Sequence, residues 1–157
     1  MENDLWEAIA SRGEGIRMRK PKKKQVPQLG LTLVREALHA LLRQQYMGAV
    51  YDEPRPCPRC GSTELYDHTP TERTFCLLIT EDGFEKVRVV VARFRCKECG
   101  RVFLAADAPF YDRCKYGAPI VDTCLWLAAS MPYNRVERTL QQFGIQVDRD
   151  TVKRYVT

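Results

Sequence analysis

Two cysteine pairs of the form Cys-x-x-Cys-Gly constrain this chain more than any other feature of its sequence. The first lies in CPRCG at residues 57–61 and the second in CKECG at residues 96–100. Each pair places two thiols on one tight turn, and the glycine that follows lets the backbone adopt a positive φ, so that amides point at sulfur. Four soft ligands of this kind suit a tetrahedral zinc site. We therefore predict one zinc ion per chain, bound by Cys57, Cys60, Cys96 and Cys99.

A site closed by four protein ligands is structural, because it leaves no position for water or substrate. The alternative is iron in a rubredoxin-type electron carrier, which uses the same paired turns and is distinguished by its red colour. Four thiolates around a divalent ion carry a net charge of about −2. The basic residues placed to offset this charge are Arg59, Arg95, Lys97 and Arg101.

The seven cysteines do not indicate a secreted disulfide scaffold. Their number is odd, four of them fall in the two pairs, and the N-terminus MENDLWEAIASRG does not resemble a signal peptide. No apolar run approaches the 18 or so residues that span a bilayer. We therefore expect a cytoplasmic, nucleoid-associated protein without a membrane partner, with Cys76 and Cys124 in its core. Cys114 lies between two basic residues and is a candidate reactive thiol, although no histidine is near it in sequence.

The segment between the two cysteine pairs predicts a β-hairpin. RTFCLLIT alternates Phe75, Leu77 and Ile79 with the residues between them, EDGF forms the turn, and KVRVVVARFRC returns to the second pair. A short strand is expected over residues 102–104. Paired turns, hairpin and short strand together predict a zinc ribbon over residues 57–105.

An amphipathic helix of about four turns is predicted within residues 31–50. Its apolar arc comprises Val34, Ala37, Leu38, Leu41 and Leu42, and its opposite face comprises Glu36, His39 and Arg43. The arc packs either on the following domain or on a second copy, in a homodimer through residues 31–46. His39 is interpreted as a solvated histidine, and His68, in the turn-rich stretch DHTPTE, as a residue without a ligand role.

Three helices are predicted over residues 117–157. Pro119 and Pro132 open the first two, and Gly144 ends the second as a left-handed C′ residue. The third is capped by Asp148 and has a basic outer face. This order describes a helix-turn-helix unit whose last helix enters the major groove. The alternative is a three-helix scaffold without a role in DNA binding.

The formal charge of +5 comes from one segment. Residues 16–24, IRMRKPKKK, carry six basic side chains and no acidic one, and the rest of the chain holds 19 basic against 20 acidic residues. Together with a short N-terminal helix, this run makes up a first part over residues 1–30. We interpret the run as a solvated, flexible stretch, which is compatible with phosphate contacts.

Ten basic residues are candidates for contact with DNA. Those in the basic run are Arg17, Arg19, Lys20, Lys22, Lys23 and Lys24, and those in the C-terminal helices are Arg135, Arg149, Lys153 and Arg154. Asp150 precedes Arg154 by one helical turn and is expected to pair with it.

The expected fold class is α+β. A small β zinc ribbon is flanked by the N-terminal amphipathic helix and by the C-terminal three-helix helix-turn-helix unit. A chain of 157 residues, 45% of them hydrophobic, is long enough for one ordinary domain or two very small ones with tails.

Two segments, RFRCKECGRVF and MPYNRVERTLQQFGIQVDRDTVKRYV, resemble the N-terminal region of bacterial and archaeal transposases. The resemblance spans residues 57–157 and is greatest for the family named after insertion sequence sixty-six. That family combines a zinc ribbon with a proline, arginine, glutamate, arginine and Gly-Ile pattern. The positions that meet the pattern are Pro132, Arg135, Glu137, Arg138, Gly144, Ile145, Thr151, Tyr155 and Val156. Tyr155 stands where the family usually has tryptophan.

The resemblance implies the DNA-binding part of a transposase, which recognises double-stranded DNA at transposon ends. Family members continue into an RNase H-like domain with three metal-binding carboxylates, and this chain does not include it. We therefore expect no enzyme activity in the chain and a separately encoded catalytic subunit as a partner. A stand-alone or domesticated transcription regulator is the alternative hypothesis, and the iron electron carrier is the third.

Overall fold

The structure, a computed structural model, describes residues 28–157. The predicted N-terminal helix and the basic run at residues 16–24 lie outside this range. Within it the fold is mixed α+β, in agreement with the expected class, and none of its helices is long and apolar enough to cross a membrane. The elements are α1 (Gln28–Tyr46), β1 (Val50–Tyr51), β2 (Leu65–Thr80), β3 (Gly83–Cys96), β4 (Val102–Leu104), α2 (Ala118–Ala128), α3 (Tyr133–Gln142) and α4 (Arg149–Val156).

A long antiparallel hairpin of β2 and β3 forms the centre of the sheet. β3 pairs with β2 along one edge. Along its other edge it pairs with β1, in parallel, and with β4, antiparallel. The predicted hairpin is confirmed, but β2 begins at Leu65, and the stretch DHTPTE belongs to the strand rather than to a turn. The ladder shifts register between His68 and Thr71. Pro70 lies at the shift, where a residue without an N–H is tolerated.

Helix α1 buries side chains from both the predicted apolar arc and the predicted solvent face. His39 is only 6% exposed, so the interpretation of this residue as solvated is wrong. The apolar residues that face outward instead are Leu33, Val34 and Leu41, which are 69%, 49% and 60% exposed. Leu38 and Leu42 pack against the core, which is the first of the two predicted alternatives. The homodimer through residues 31–46 stays a prediction.

Polar groups on the surface that receives α1 explain why its histidine and arginines face inward. Arg35 donates to a backbone carbonyl of β2 at 3.1 Å. His39 Nε2 donates to the Gly144 carbonyl at 2.9 Å. Arg43, also assigned to the outer face, forms a two-pronged ion pair with Glu85 of β3, with the shorter contact at 2.6 Å. Buried carbonyls and a half-buried carboxylate require donors, which leucine and valine do not have.

Gly144 lies where α1, β2 and the turn between α3 and α4 meet. Its φ of +75° confirms the predicted left-handed helix end. Its carbonyl accepts from Ile79 N at 2.7 Å as well as from His39. Gln146 N then donates to Leu77 O at 3.0 Å. The turn between the last two helices is therefore hydrogen-bonded along the edge of β2.

The side chain of Phe75 connects β2 to α1 through apolar contacts. Its ring is fully buried and stacks on Tyr46 of α1, with centroids 3.7 Å apart, while Phe110 meets it edge-on at 6.4 Å. Gly117 N donates to the Phe75 carbonyl at 2.8 Å, just before α2 begins. A Cβ on Gly117 would overlap the Phe75 ring, so only glycine permits this approach.

The hairpin and the three C-terminal helices share one hydrophobic core. Helices α2, α3 and α4 all contact one another, and Asp148 caps α4 by accepting from Thr151 N at 2.7 Å, as predicted. The buried side chains that connect sheet and helices include Phe75, Leu78, Val87, Val89, Val136, Leu140 and Val152.

We predict that Gly144→Ala destabilises the protein far more than Gly48→Ala. Both glycines have positive φ, at +75° and +71°, but a Cβ at Gly48 has open space, whereas one at Gly144 would overlap the His39 ring. We expect a loss of about 1 kcal/mol for Gly48→Ala from backbone strain, and roughly 2 to 4 kcal/mol for Gly144→Ala from strain plus overpacking. Chemical denaturation measures both, and equal losses would show that the junction is loosely packed.

We also predict that His39 makes stability depend on pH. Burial lowers the pKa of His39, and Arg43 and Arg35 add to this, while the hydrogen bond to Gly144 opposes it. The folded state therefore favours the neutral ring. Its contribution is complete above the unfolded pKa of about 6.5 and is lost as the pH falls below that value towards the lowered folded pKa.

Unfolding free energies measured from pH 7.5 downwards test this dependence. His39→Gln should weaken the decline below pH 6.5, whereas the matched variant His68→Gln, at an exposed position, should retain it. An identical decline in wild type and His39→Gln would assign the pH dependence to other groups.

Candidate metal centre

The structure brings the four predicted ligand cysteines into one cluster. The sulfur atoms of Cys57, Cys60, Cys96 and Cys99 all lie within 4.8 Å of one another. The Sγ atoms of Cys57 and Cys99 are 3.5 Å apart, and those of Cys60 and Cys96 are 3.4 Å apart. Metal–sulfur bonds of about 2.3 Å in a tetrahedron place sulfurs about 3.8 Å apart. The cluster therefore has the dimensions of a four-thiolate metal site.

The two turns that carry the cysteines have nearly the same backbone geometry. Gly61 and Gly100 both have a φ of +74°, as their place in the sequence predicted. Each donates its N–H to the carbonyl of the first cysteine in its pair, at 2.8 Å and 3.0 Å. That cysteine donates its own N–H to the residue five positions later, at 2.9 Å in both turns. Local sequence thus builds each half of the site independently.

Backbone amides prepare two of the sulfurs for metal binding. Burial raises the pKa of the Cys57 thiol, but hydrogen bonds from the amides of Cys60 and Arg59 and from neighbouring thiols outweigh it, and the pKa falls to about 6. The pKa of Cys96 is also lowered, first by the Cys99 amide. Since a metal binds the thiolate, these amides favour the binding-competent form of Cys57 and Cys96. A backbone hydrogen bond from Ser62 lowers the pKa of Cys60, but the Cys96 thiol and burial outweigh it and raise that pKa to about 12.

The other three cysteines lie apart from this cluster. Cys76 and Cys124 are fully buried, and burial raises their pKa values to about 12 and about 11. They are core residues, as predicted. Cys114 is half-buried, and its carbonyl accepts from Arg73 at 2.7 Å.

The predicted DNA-contacting residues of the C-terminal helices are all exposed. Arg149 is paired with Asp150 at 3.6 Å, which corrects the expected pairing of Asp150 with Arg154. Arg154 instead donates to the Thr151 hydroxyl at 3.3 Å. Among residues 28–157, Lys153 has no ion-pair partner. Lys153 is therefore the cation of α4 that is most available to a ligand.

Arg135 lies one helix earlier, on α3, and the six basic residues of the run at 16–24 lie outside the described part of the chain. The sequence analysis missed a row of exposed side chains across three strands near the cysteine cluster, formed by Tyr66, Arg95 and Val102. A predicted β2 that began at Leu65 would have indicated this row, because alternate residues of a strand lie on the same face.

The chain matches no protein-family model, no curated protein and no solved structure. The resemblance to transposases therefore gains no support from these comparisons.

We predict that Cys57→Ser and Cys96→Ser lose the bound metal and unfold the hairpin end of the sheet. A structural metal contributes roughly 10 kcal/mol or more to folding, which is comparable to the whole stability of a small domain. Elemental analysis and circular dichroism measure the two effects. The control is Cys114→Ser, a half-buried cysteine outside the cluster, which should keep one metal per chain. A metal-free protein with an unchanged fold would contradict the prediction.

Proposed function

We propose that this chain is a zinc-dependent DNA-binding protein, and that it is the DNA-binding part of a transposase that recognises transposon-end DNA. The observation that carries the proposal is that a four-cysteine cluster and a three-helix unit share one core, with exposed cations on the last helix. In this proposal the cysteine half is a zinc ribbon and the helical half is a helix-turn-helix unit.

Zinc is the metal that the ligand set favours. Four thiolates at tetrahedral spacing suit a borderline-soft ion without a geometric preference of its own. Two of the ligands, Cys57 and Cys96, are almost completely buried, at 3% and 1% exposure. Cys60 is exposed and Cys99 half-buried, but four protein ligands leave no open coordination position, so the proposed ion is structural. A colourless preparation with one zinc per chain supports this assignment, whereas a red preparation would indicate iron.

Helix α4 is the proposed recognition element. Asp148 caps its start, and Thr151 and Val152 hold it against the core, so that it is presented as a preformed surface. Lys153 and Arg149 face outward on the same side, one turn apart. Cations at this spacing reach base edges or phosphates when a helix lies in the major groove. The partners proposed are double-stranded DNA and a separately encoded catalytic subunit.

Selection of bound sequences from a random pool of duplex DNA tests the proposal. Enrichment of a sequence that matches the ends of a mobile element in the same genome would support the transposase assignment. Enrichment of a sequence found at promoters would favour a transcription regulator built from the same parts. If the zinc-loaded protein enriches nothing, DNA recognition itself is wrong.

We predict that Lys153→Ala weakens binding to the selected site by roughly 1 to 3 kcal/mol and has a much smaller effect on unrelated DNA. Fluorescence anisotropy with the two duplexes measures the difference. The control is Lys86→Ala, an exposed lysine on β3, which should change neither affinity. Equal weakening on both duplexes by Lys153→Ala would mean that α4 contacts DNA without recognising sequence.

A further inference from the structure

Next to the cysteine cluster, one face of the sheet presents a row of exposed side chains. Arg95 of β3 is paired directly with Tyr66 of β2 and with Val102 of β4. Side chains of directly paired residues lie on the same face of a sheet. Tyr66 is 58% exposed, Val102 is 39% exposed and Arg95 is exposed as well. The row is therefore open to solvent along its whole width.

Lys97 extends this row, and Arg101 directly precedes Val102 in the chain. The Arg95 guanidinium reaches over the second cysteine turn, 3.9 Å from where a Cβ on Gly100 would lie, and exposed Arg101 follows directly. Lys97 Nζ lies 4.8 Å from the centroid of the Tyr66 ring. We call these four residues, Tyr66, Arg95, Lys97 and Arg101, the ribbon patch.

Two of the three cations of the ribbon patch have no ion-pair partner in the described part of the chain. Lys97 has a long ion pair with Glu64 at 3.6 Å, but Arg95 and Arg101 pair with no carboxylate among residues 28–157. Within that range they also donate no hydrogen bond to a cysteine sulfur, whose close contacts are with other cysteines. Both arginines can therefore bind a further anion, whether or not their charge also offsets that of the thiolates.

We infer that the ribbon patch is a phosphate-binding surface that contacts the backbone of duplex DNA. Exposed, unpaired arginines bind phosphate oxygens through charge-assisted hydrogen bonds, and the Tyr66 hydroxyl adds a neutral donor beside them. The inference rests on the proposed DNA-binding function and extends it. It assigns to the ribbon a sequence-independent contact that is separate from sequence recognition by α4.

The salt dependence of binding tests this assignment in the zinc-loaded full chain. Each phosphate contact contributes about 0.9 to the slope of log affinity against log salt concentration. Arg95→Gln with Arg101→Gln should therefore reduce the slope by about 2 on a short duplex of unrelated sequence. Arg95→Lys with Arg101→Lys, which keeps the charge, should retain most of the slope. Zinc content is measured for every variant.

The matched control is Arg88→Gln. Arg88 lies on the same strand and is 51% exposed, but it is paired with Glu72 at 3.5 Å, so its loss should leave the slope unchanged. If the double glutamine variant loses zinc, the single variant Arg101→Gln replaces it, with an expected reduction of about 1.

An unchanged slope in zinc-loaded variants would overturn the phosphate-binding role while leaving the proposed function in place. Zinc loss in the single variant as well would also overturn it, because the arginines would then serve the metal site. A wild-type protein that binds no DNA at all would instead refute the proposed function, and the ribbon patch with it.

Discussion

The carbonyl of Gly144 holds together three parts of the chain that are far apart in sequence. It accepts one hydrogen bond from Ile79 of β2 and a second from His39 of α1, and it does so from the turn that separates α3 and α4. A buried carbonyl with both lone pairs satisfied resists displacement, because either donor would otherwise be left unpaired in the interior. The close approach excludes a side chain at this position.

The β2–β3 hairpin connects the junction at Gly144 to the cysteine cluster. One end of β2 and β3 is closed by the cysteine cluster, where Leu65 pairs with Cys96, and the other end receives α1 and the turn at Gly144. Phe75 lies between them and stacks on Tyr46. The predicted ribbon and helical unit therefore share one core instead of being connected by a loop alone. The shared core therefore fixes the position of the cations on the predicted ribbon relative to those on α4.

This fixed arrangement of two cationic surfaces supports the proposed DNA-binding function. A metal held by all four cysteines would have no open coordination position to act on a substrate, so we propose that it keeps the two cysteine turns closed and the adjacent sheet face in place. That face offers unpaired arginines, and α4 offers Lys153, and these two surfaces suit different tasks. Phosphate contacts supply affinity that depends on salt, whereas base contacts supply discrimination between sequences.

Features that depend on a few neighbouring residues could be predicted from the amino-acid sequence. The metal ligands, the glycines that follow them, the hairpin turn, the helix end at Gly144 and the cap at Asp148 were all predicted, because each needs a particular residue type at a short, specified spacing. The buried side of α1, in contrast, depends on residues far away in the sequence. Helical periodicity favoured its leucines, and Leu38 and Leu42 do pack against the core, but the receiving surface also presents carbonyls and a carboxylate, so His39 and two arginines face inward as well. The placement of Arg95 beside Tyr66 also depends on the tertiary structure, because strand register is a long-range pairing that shifts at Pro70 and cannot be read from either strand alone.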